Sequence, residues 1–236
     1  DVVDWMQKTA KNSGTADDIS FCIEEKIDGI SIVLYYEQGF LARAVTRGNG
    51  FRGNDVTANV KTIGSVPLKL TKPLTVAVRG EIYLPKNSFE ELNKKMDPPY
   101  ANPRNLAAGT IRRIKSSETA KIPLDIFIYE GFFEEPLNEQ KQIFTELSDL
   151  GFRLNSRHAF LKSAENLSEY ITRSTDEREG LPYEIDGLVI KVNEIETRER
   201  LGYTGHHPRW AIAYKFESPQ AITILNSIDL QVGRTG

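Results

Sequence analysis

Apolar residues recur along the chain with two periods, and the switches between them mark its elements. Phe21 to Tyr36 is rich in Ile, Val and Tyr and breaks at Asp28-Gly29, the pattern of two strands joined at a turn. Thr75 to Leu84 alternates as a strand with Glu81 inside it. Leu124 to Tyr129 is an apolar run between Pro123 and Gly131, and Leu188 to Val192 and Trp210 to Phe216 are strands of the same kind. Helical spacing appears at Ile143, Phe144, Leu147 and Leu150 within Asn138 to Leu150, stopped by Gly151. Ala164 to Ile171 predicts another helix, and Trp5 to Ala10 a weakly helical stretch. Ser88 and Glu91 form a capping box for a short helix through Met96, which Pro98-Pro99 ends. Asn102-Pro103-Arg104 opens the helix formers Leu106 to Ile114. Residues 40–56, with Gly39 just before, hold Gly48, Gly50 and Gly53 and Arg43, Arg47 and Arg52, which is loop chemistry carrying cations. Strands and helices mix without βαβ alternation, so the class is α+β on antiparallel sheets.

Composition narrows this picture. The 236 residues make one large domain or two small ones, and 39% hydrophobic with 27% charged residues is a globular balance. No apolar run approaches the roughly 18 residues of a membrane span. Cys22 is the one cysteine, so with His158, His206 and His207 it cannot complete a Cys₄ or Cys₂His₂ zinc site. Zinc is not expected. The net charge of -3 argues against a wholly electrostatic nucleic-acid binder and leaves room for one basic face. An opening at Asp1 without a signal region predicts a trimmed piece of a cytoplasmic protein. The alternating stretch Ile222 to Leu230, followed by Gln231 to Gly236, predicts the start of a further domain.

Five clusters place charge where a core would have apolar groups. In Glu24-Glu25-Lys26-Ile27-Asp28-Gly29 a lysine is projected from a turn. Alone it is a surface lysine in an Asp-Gly hairpin. As a nucleophile it needs help from desolvation, a nearby cation or both, because free lysine titrates near ~10.4. Thr46 to Thr57 combines glycines with Arg47, a fork for phosphate. Glu81 sits in an apolar strand, where it must be paired or functional. Between 101 and 121, Arg104, Arg112, Arg113, Lys115 and Lys121 face one acid, Glu118, and a helix would carry Arg104 and Arg112 on one face towards phosphates. Glu184 to Val192 carries Asp186 and Lys191, and Pro208 to Phe216 carries Lys215. Three lysines (26, 191, 215) with Asp28, Glu81 and Asp186 suit one site for a phosphate and a divalent cation.

In this order the clusters resemble the covalent nucleotidyltransferases, polynucleotide ligases and capping enzymes. The strings Thr46 to Thr57, Tyr100 to Gly109 and Pro208 to Phe216 are similar to the adenylation domain of bacterial NAD-dependent DNA ligase. The resemblance implies a nucleotidyltransferase (ATP-grasp-like) fold of antiparallel sheets flanked by helices. It implies an adenylation domain over residues 1–228 and the start of a truncated oligonucleotide-binding (OB) fold at 229–236. Asn49 and Asn54 depart from it, standing where aspartate and glutamate are usual.

The chemistry implied has three steps. Lys26 attacks the α-phosphate of NAD, the adenylate passes to the 5′-phosphate of a DNA nick, and the 3′-hydroxyl displaces it. Glu24 would read the adenine edge, Arg47 the ribose or phosphate, and Glu81 the ribose, while Tyr129 would stack on the base. Lys191 would cover the base and touch phosphate, Lys215 would bind the α-phosphate, and Arg104, Arg112 and Arg178 would grip DNA or nucleotide phosphate. Asp28 flanks the nucleophile, and magnesium, or manganese in its place, would be held through water by Asp28, Glu81 or Asp186. The expected partners are nicked double-stranded DNA and an adenine nucleotide, with no membrane, for a cytoplasmic monomer in DNA replication and repair. Nothing in the sequence resembles the family's N-terminal nicotinamide mononucleotide subdomain or its C-terminal domains. The chain is therefore expected to bind adenosine nucleotide and to react poorly with NAD alone. An ATP- or GTP-using relative and a binding module without turnover are the competing readings.

Overall fold

Alternation sends the odd residues of β1 (Phe21–Ile27) and the even residues of β2 (Ile30–Glu37) into two different cores, and that separation organises the molecule. The computed structural model describes residues 2–14, 19–48, 52–205, 207–217, 224 and 226–228. They hold two four-stranded antiparallel sheets. In the first, β1 lies between β6 (His158–Leu161) and β7 (Ile185–Val192), and β7 pairs with β8 (Ala211–Lys215). In the second, β2 lies between β3 (Phe40–Thr46) and β4 (Val76–Tyr83), and β4 pairs with β5 (Asp125–Phe133).

β1 and β2 therefore do not form the expected hairpin. Asp28-Gly29 is a crossing from one sheet to the other. Asp28 N donates to Glu184 O at 2.8 Å, tying the crossing to the first sheet. Gly29 presses on the second, where a Cβ would stand 2.2 Å from Ile82 O. No larger side chain fits that approach.

Helices cover the outer faces. α1 (Val2–Asn12) and α7 (Leu167–Glu177) bury Val2, Met6, Leu167 and Tyr170 against Phe21, Ile23, Leu188 and Ile190 of the first sheet. The second sheet packs Ile32, Leu34, Val78 and Ile128 against α2 (Thr57–Val60), α4 (Pro103–Ile111) and α6 (Gln140–Asp149). The remaining helices are α3 (Lys86–Asn93), α5 (Ser116–Thr119) and α8 (Ile195–Leu201), with a 3₁₀ turn at Arg178–Gly180. The α+β class on antiparallel sheets is as expected.

Several boundaries differ, for local reasons. Residues 40–46 are strand, not loop, because Leu41 and Ala44 reach the second core. Ser88 does not cap its helix: Pro85 takes the N-cap position without a side-chain bond, so Ser88 lies inside the first turn. Asn102 does cap α4, accepting from Asn105 N at 2.8 Å, but the helix ends at Ile111 and leaves Arg112 at its C-cap. The short β6 and α8 had no periodic signal. Asn49, Gly50, His206 and residues 229–236, together with most of the expected strand 222–230, lie outside the described residues.

Gly187 stands opposite both Lys26 and Lys215, and a Cβ there would meet Tyr214 O at 1.9 Å. Gly187→Ala must open the β7–β8 pairing. A loss of at least about 1–3 kcal/mol is expected in urea denaturation, and an unchanged midpoint at an unchanged slope contradicts this packing.

Candidate functional site

Residues opposite one another in antiparallel strands share a face. In the first sheet, Lys26, Gly187 and Lys215 form one row, and Glu24 lies opposite Val189 and His158. Lys191 lies opposite Cys22 and Ala211. Glu24, Lys26, Lys191 and Lys215 thus share the face turned away from the α1–α7 core. In the second sheet Ser31, Glu81 and Phe127 form a row, and Tyr129 is the extra residue of a bulge in β5. Between the two faces lies a cavity of about 790 Å³ that Lys26, Ser31, Glu81, Phe127, Tyr129 and Lys191 help to line. Apart from the Glu25–Arg157 pair behind β1, six lysines and arginines contribute to its walls against three glutamates, so it is positive inside a chain of net charge -3. Such a space suits an anionic ligand of nucleotide size.

The floor is an ion pair withdrawn from water. Lys191 Nζ lies 2.6 Å from Glu24 Oε1 and 3.6 Å from Glu130 Oε2, with the lysine side chain 5% exposed. Burial works against the ammonium, but Glu24 and Glu130 outweigh it and raise the Lys191 pKa. Burial also pushes the Glu24 carboxyl up, against the pull of Lys191. The short contact and the second carboxylate favour the ionised pair. The Lys191 ammonium sits 5.8 Å from the centroids of both the Tyr129 and Phe144 rings, a cation–π setting.

The rim is different. Lys26 is 30% exposed, and its Nζ is held by both Asp186 oxygens at 2.8 and 2.9 Å. Lys26 thus carries a carboxylate directly on its amine, where the sequence argument had looked to cations. Arg104 Nη1 binds Asp28 at 2.9 Å, and Arg104, Arg112 and the exposed Arg47 line the same cavity. Among the described residues Glu81 has neither the ion pair nor the hydrogen bond of its neighbours. Burial, against the pull of Lys26 and Arg104, pushes its carboxyl up to about 7. Burial and Glu81 together push the Tyr129 hydroxyl up to about 12, and that hydroxyl lies 3.2 Å from Ser31 Oγ.

Glu24, Lys26, Arg47, Glu81, Arg104, Arg112, Tyr129 and Lys191 are thus brought together. Lys215 shares the face but is exposed two strands from Lys26, about 10 Å across the sheet. Arg178 stands apart: its guanidinium lies 5.6 Å from the Phe216 ring and its Nη1 donates to Glu217 O at 3.5 Å. Arg104 and Arg112 do not share a helical face, since α4 stops between them, and Arg112 Nε donates back to Ala108 O at 3.0 Å. Phe127, Phe144, His158 and Trp210 also line the cavity, with no site signal of their own in the sequence. Alternation from Tyr129 could have flagged Phe127, whereas His158 enters through β6, which has no sequence signal. Glu25 turns to the other face of β1, where Arg157, Asn155 and Tyr183 bond it at 2.7 to 2.8 Å.

The donor set fits a nucleotide, with cations for phosphates and an aromatic and carboxylate floor for a base. It does not form a protein-built metal cage. Among the described residues no group of three or more His, Cys, Asp or Glu could hold a metal ion, and Asp28 and Asp186 are engaged by Arg104 and Lys26. Magnesium held through water and the nucleotide's own phosphates needs no such cage.

Comparison with known proteins bears on this geometry. The profile of the family described as NAD-dependent DNA ligase adenylation domain matches residues 1–219. A DNA ligase of Borreliella burgdorferi (strain B31) is 46% identical over 237 aligned positions, covering 98% of this chain and 35% of that protein. A DNA ligase of Borreliella afzelii (strain PKo) is 47% identical over 219 positions, covering 91% and 33%. The chain thus spans about a third of the length of these curated relatives. Among solved structures, a mycobacterial DNA ligase D complexed with ATP and MES aligns with a TM-score of 0.48 at 12% identity, over 83% of this chain and 54% of that one.

The raised Glu81 carboxyl makes stability depend on pH. A carboxyl moved from 4.5 to about 7 on folding contributes fully below 4.5, and that contribution is lost as pH rises through 7. Glu81→Gln removes the loss. Urea denaturation at about pH 5 and pH 8 should show the variant gaining up to about 3 kcal/mol on wild type between them. Parallel pH curves would contradict the buried position of this carboxyl.

Proposed function

Because the chain belongs to the NAD-dependent DNA ligase adenylation domain family, we propose that it carries the nucleotide-transfer site of a DNA-joining enzyme, with Lys26 as its nucleophile. The observation that carries this reading is the placement of the Lys26 amine at the rim of a positive, nucleotide-sized cavity, in direct contact with Asp186. NAD supplies the adenylyl group. The Lys26 nitrogen forms a bond to the α-phosphorus, the phosphorus–oxygen bond to nicotinamide mononucleotide breaks, and the amine gives up a proton. An ammonium held by a carboxylate has no free lone pair, so Asp186 is the residue placed to take that proton.

The other residues bind and orient. The Glu24–Lys191 floor reads the adenine edge, with Lys191 reaching towards phosphate, while Tyr129 stacks on the base and Glu81 holds the ribose. Arg47 meets ribose or phosphate, and Lys215 swings in from its row to the α-phosphate. Cations fixed around a phosphorus that gains charge in the transition state are worth most there. Asp28, Glu81 or Asp186 would hold magnesium through water, and the ion would add positive charge at the same phosphate. Arg104, Arg112 and Arg178 hold the DNA backbone while the adenylate passes from Lys26 to the 5′-phosphate and the 3′-hydroxyl then displaces AMP. The protein acts on nicked double-stranded DNA as a cytoplasmic monomer in replication and repair. Residues 1–228 form the adenylation unit.

Intact-mass measurement of the full-length protein tests the reaction class. Incubation with NAD should add one AMP to Lys26, ATP and GTP should add nothing, and Lys26→Ala should abolish the adduct. An adduct from ATP alone would overturn the NAD reading, and an active Lys26→Ala would overturn the mechanism. Nicked-duplex binding should weaken steeply with salt, with Arg104→Ala or Arg112→Ala each lowering the log–log slope by about one. A salt-insensitive interaction would place the DNA elsewhere.

A further inference from the structure

Behind the cavity wall lies a charged side chain that the reaction above does not use. Arg198, on α8, is buried, and its guanidinium is engaged on every side. Its Nε donates to Val192 O at 2.6 Å, and Nη2 donates to Gln140 Oε1 at 2.8 Å. Gln140 in turn donates to Tyr129 O at 3.0 Å. The guanidinium stacks 4.7 Å from the Trp210 ring centroid, and its Nη1 lies 3.6 Å from Glu130 Oε2.

Glu130 is the shared element. The oxygen that faces Arg198 also lies 3.6 Å from Lys191 Nζ, which is 2.6 Å from Glu24. Arg198, Glu130, Lys191 and Glu24 therefore form a row of alternating charge that sums to zero, and its last two members are the floor of the cavity. A buried array of this kind holds its geometry only while it is balanced. Without Arg198, Glu130 has Lys191 as its one cation in the row, and the ammonium is drawn away from Glu24 and from any bound phosphate. Trp210, which lines the cavity, loses its backing in the same event.

We propose that Arg198 is a positioning residue for nucleotide binding, neutralising Glu130 so that the Lys191 ammonium remains available to Glu24 and to the ligand. This rests on the reading of the cavity as an adenine-nucleotide site with Lys191 at its floor. Charge and support make opposite forecasts. Arg198→Met leaves the row one negative charge in excess and should weaken AMP binding by about tenfold or more, whereas Glu130→Gln leaves it one positive in excess and should tighten binding of the AMP anion at least about twofold. The double variant restores the balance and should return to within about threefold of wild type.

Calorimetric titration of AMP into this chain and its three variants, with thermal melts alongside, decides the matter. Wild-type affinity in Arg198→Met, weakened binding in Glu130→Gln, or a double variant no better than Arg198→Met each overturns the coupling and leaves Arg198 as packing alone. If Arg198→Met does not fold, the sign of the Glu130→Gln effect settles the same question. Failure of the wild-type chain to bind AMP, or an unchanged affinity in Lys191→Met, would remove the site reading and this inference with it.

Discussion

A lysine ammonium and a glutamate carboxylate 2.6 Å apart at the floor of the cavity, both shielded from water, set the terms for the elements around them. Breaking such a pair by removing one member costs about 3–5 kcal/mol, because the other is left charged in a poorly solvating place. Lys191 and Glu24 come from neighbouring strands of the first sheet. The second carboxylate, Glu130, comes from β5 of the other sheet, and Arg198 from a helix. The charges thus tie both sheets to a helix, beside the apolar contact in which Tyr83 and Phe127 of the second sheet join the first core. Sheets usually meet through interdigitated apolar side chains; these do so only where Tyr83 and Phe127 reach the first core, and elsewhere they face a space lined with paired ions.

Lys26 and Lys191 show how environment divides labour between identical side chains. Both sit on the cavity face of the first sheet, and both touch carboxylates. Lys191 is sealed between its partners and two rings, which fixes it as a charge. Lys26, 30% exposed at the end of β1, has one partner and room to leave it. A nucleophile needs that freedom, and a binding cation needs its absence. The bulge at the end of the β1–β7 pairing, between Lys26 and Ile27, gives Asp186 its approach to the amine.

Global charge is a poor guide to this molecule. A net charge of -3 coexists with a cavity whose charged lining residues are mainly lysine and arginine. Long-range attraction of a polyanion is therefore weak, while an anion already inside meets fixed cations at short range, where water screens them least. Positive charge is concentrated in the cavity without making the whole surface adhesive to polyanions.

The sequence by itself determined the strands with strong alternation, the helix within Asn138 to Leu150 and the helix start at Asn102, because each rests on contacts within a few residues. It also marked charged side chains that need a partner or a role, since a carboxylate in β4 or a lysine in β7 is costly to bury alone. Tertiary structure alone decided that Asp28-Gly29 joins two sheets rather than two strands of one hairpin. The competing pairings were all long-range, and local propensity does not rank them. It alone brought β6 and α8 into place, elements too short or too polar to carry a period, and with them His158 and Arg198. It also decided which partner each charge received. Asp186 reached Lys26 across 160 positions of chain, and that pairing depends on strand register, which no local pattern encodes.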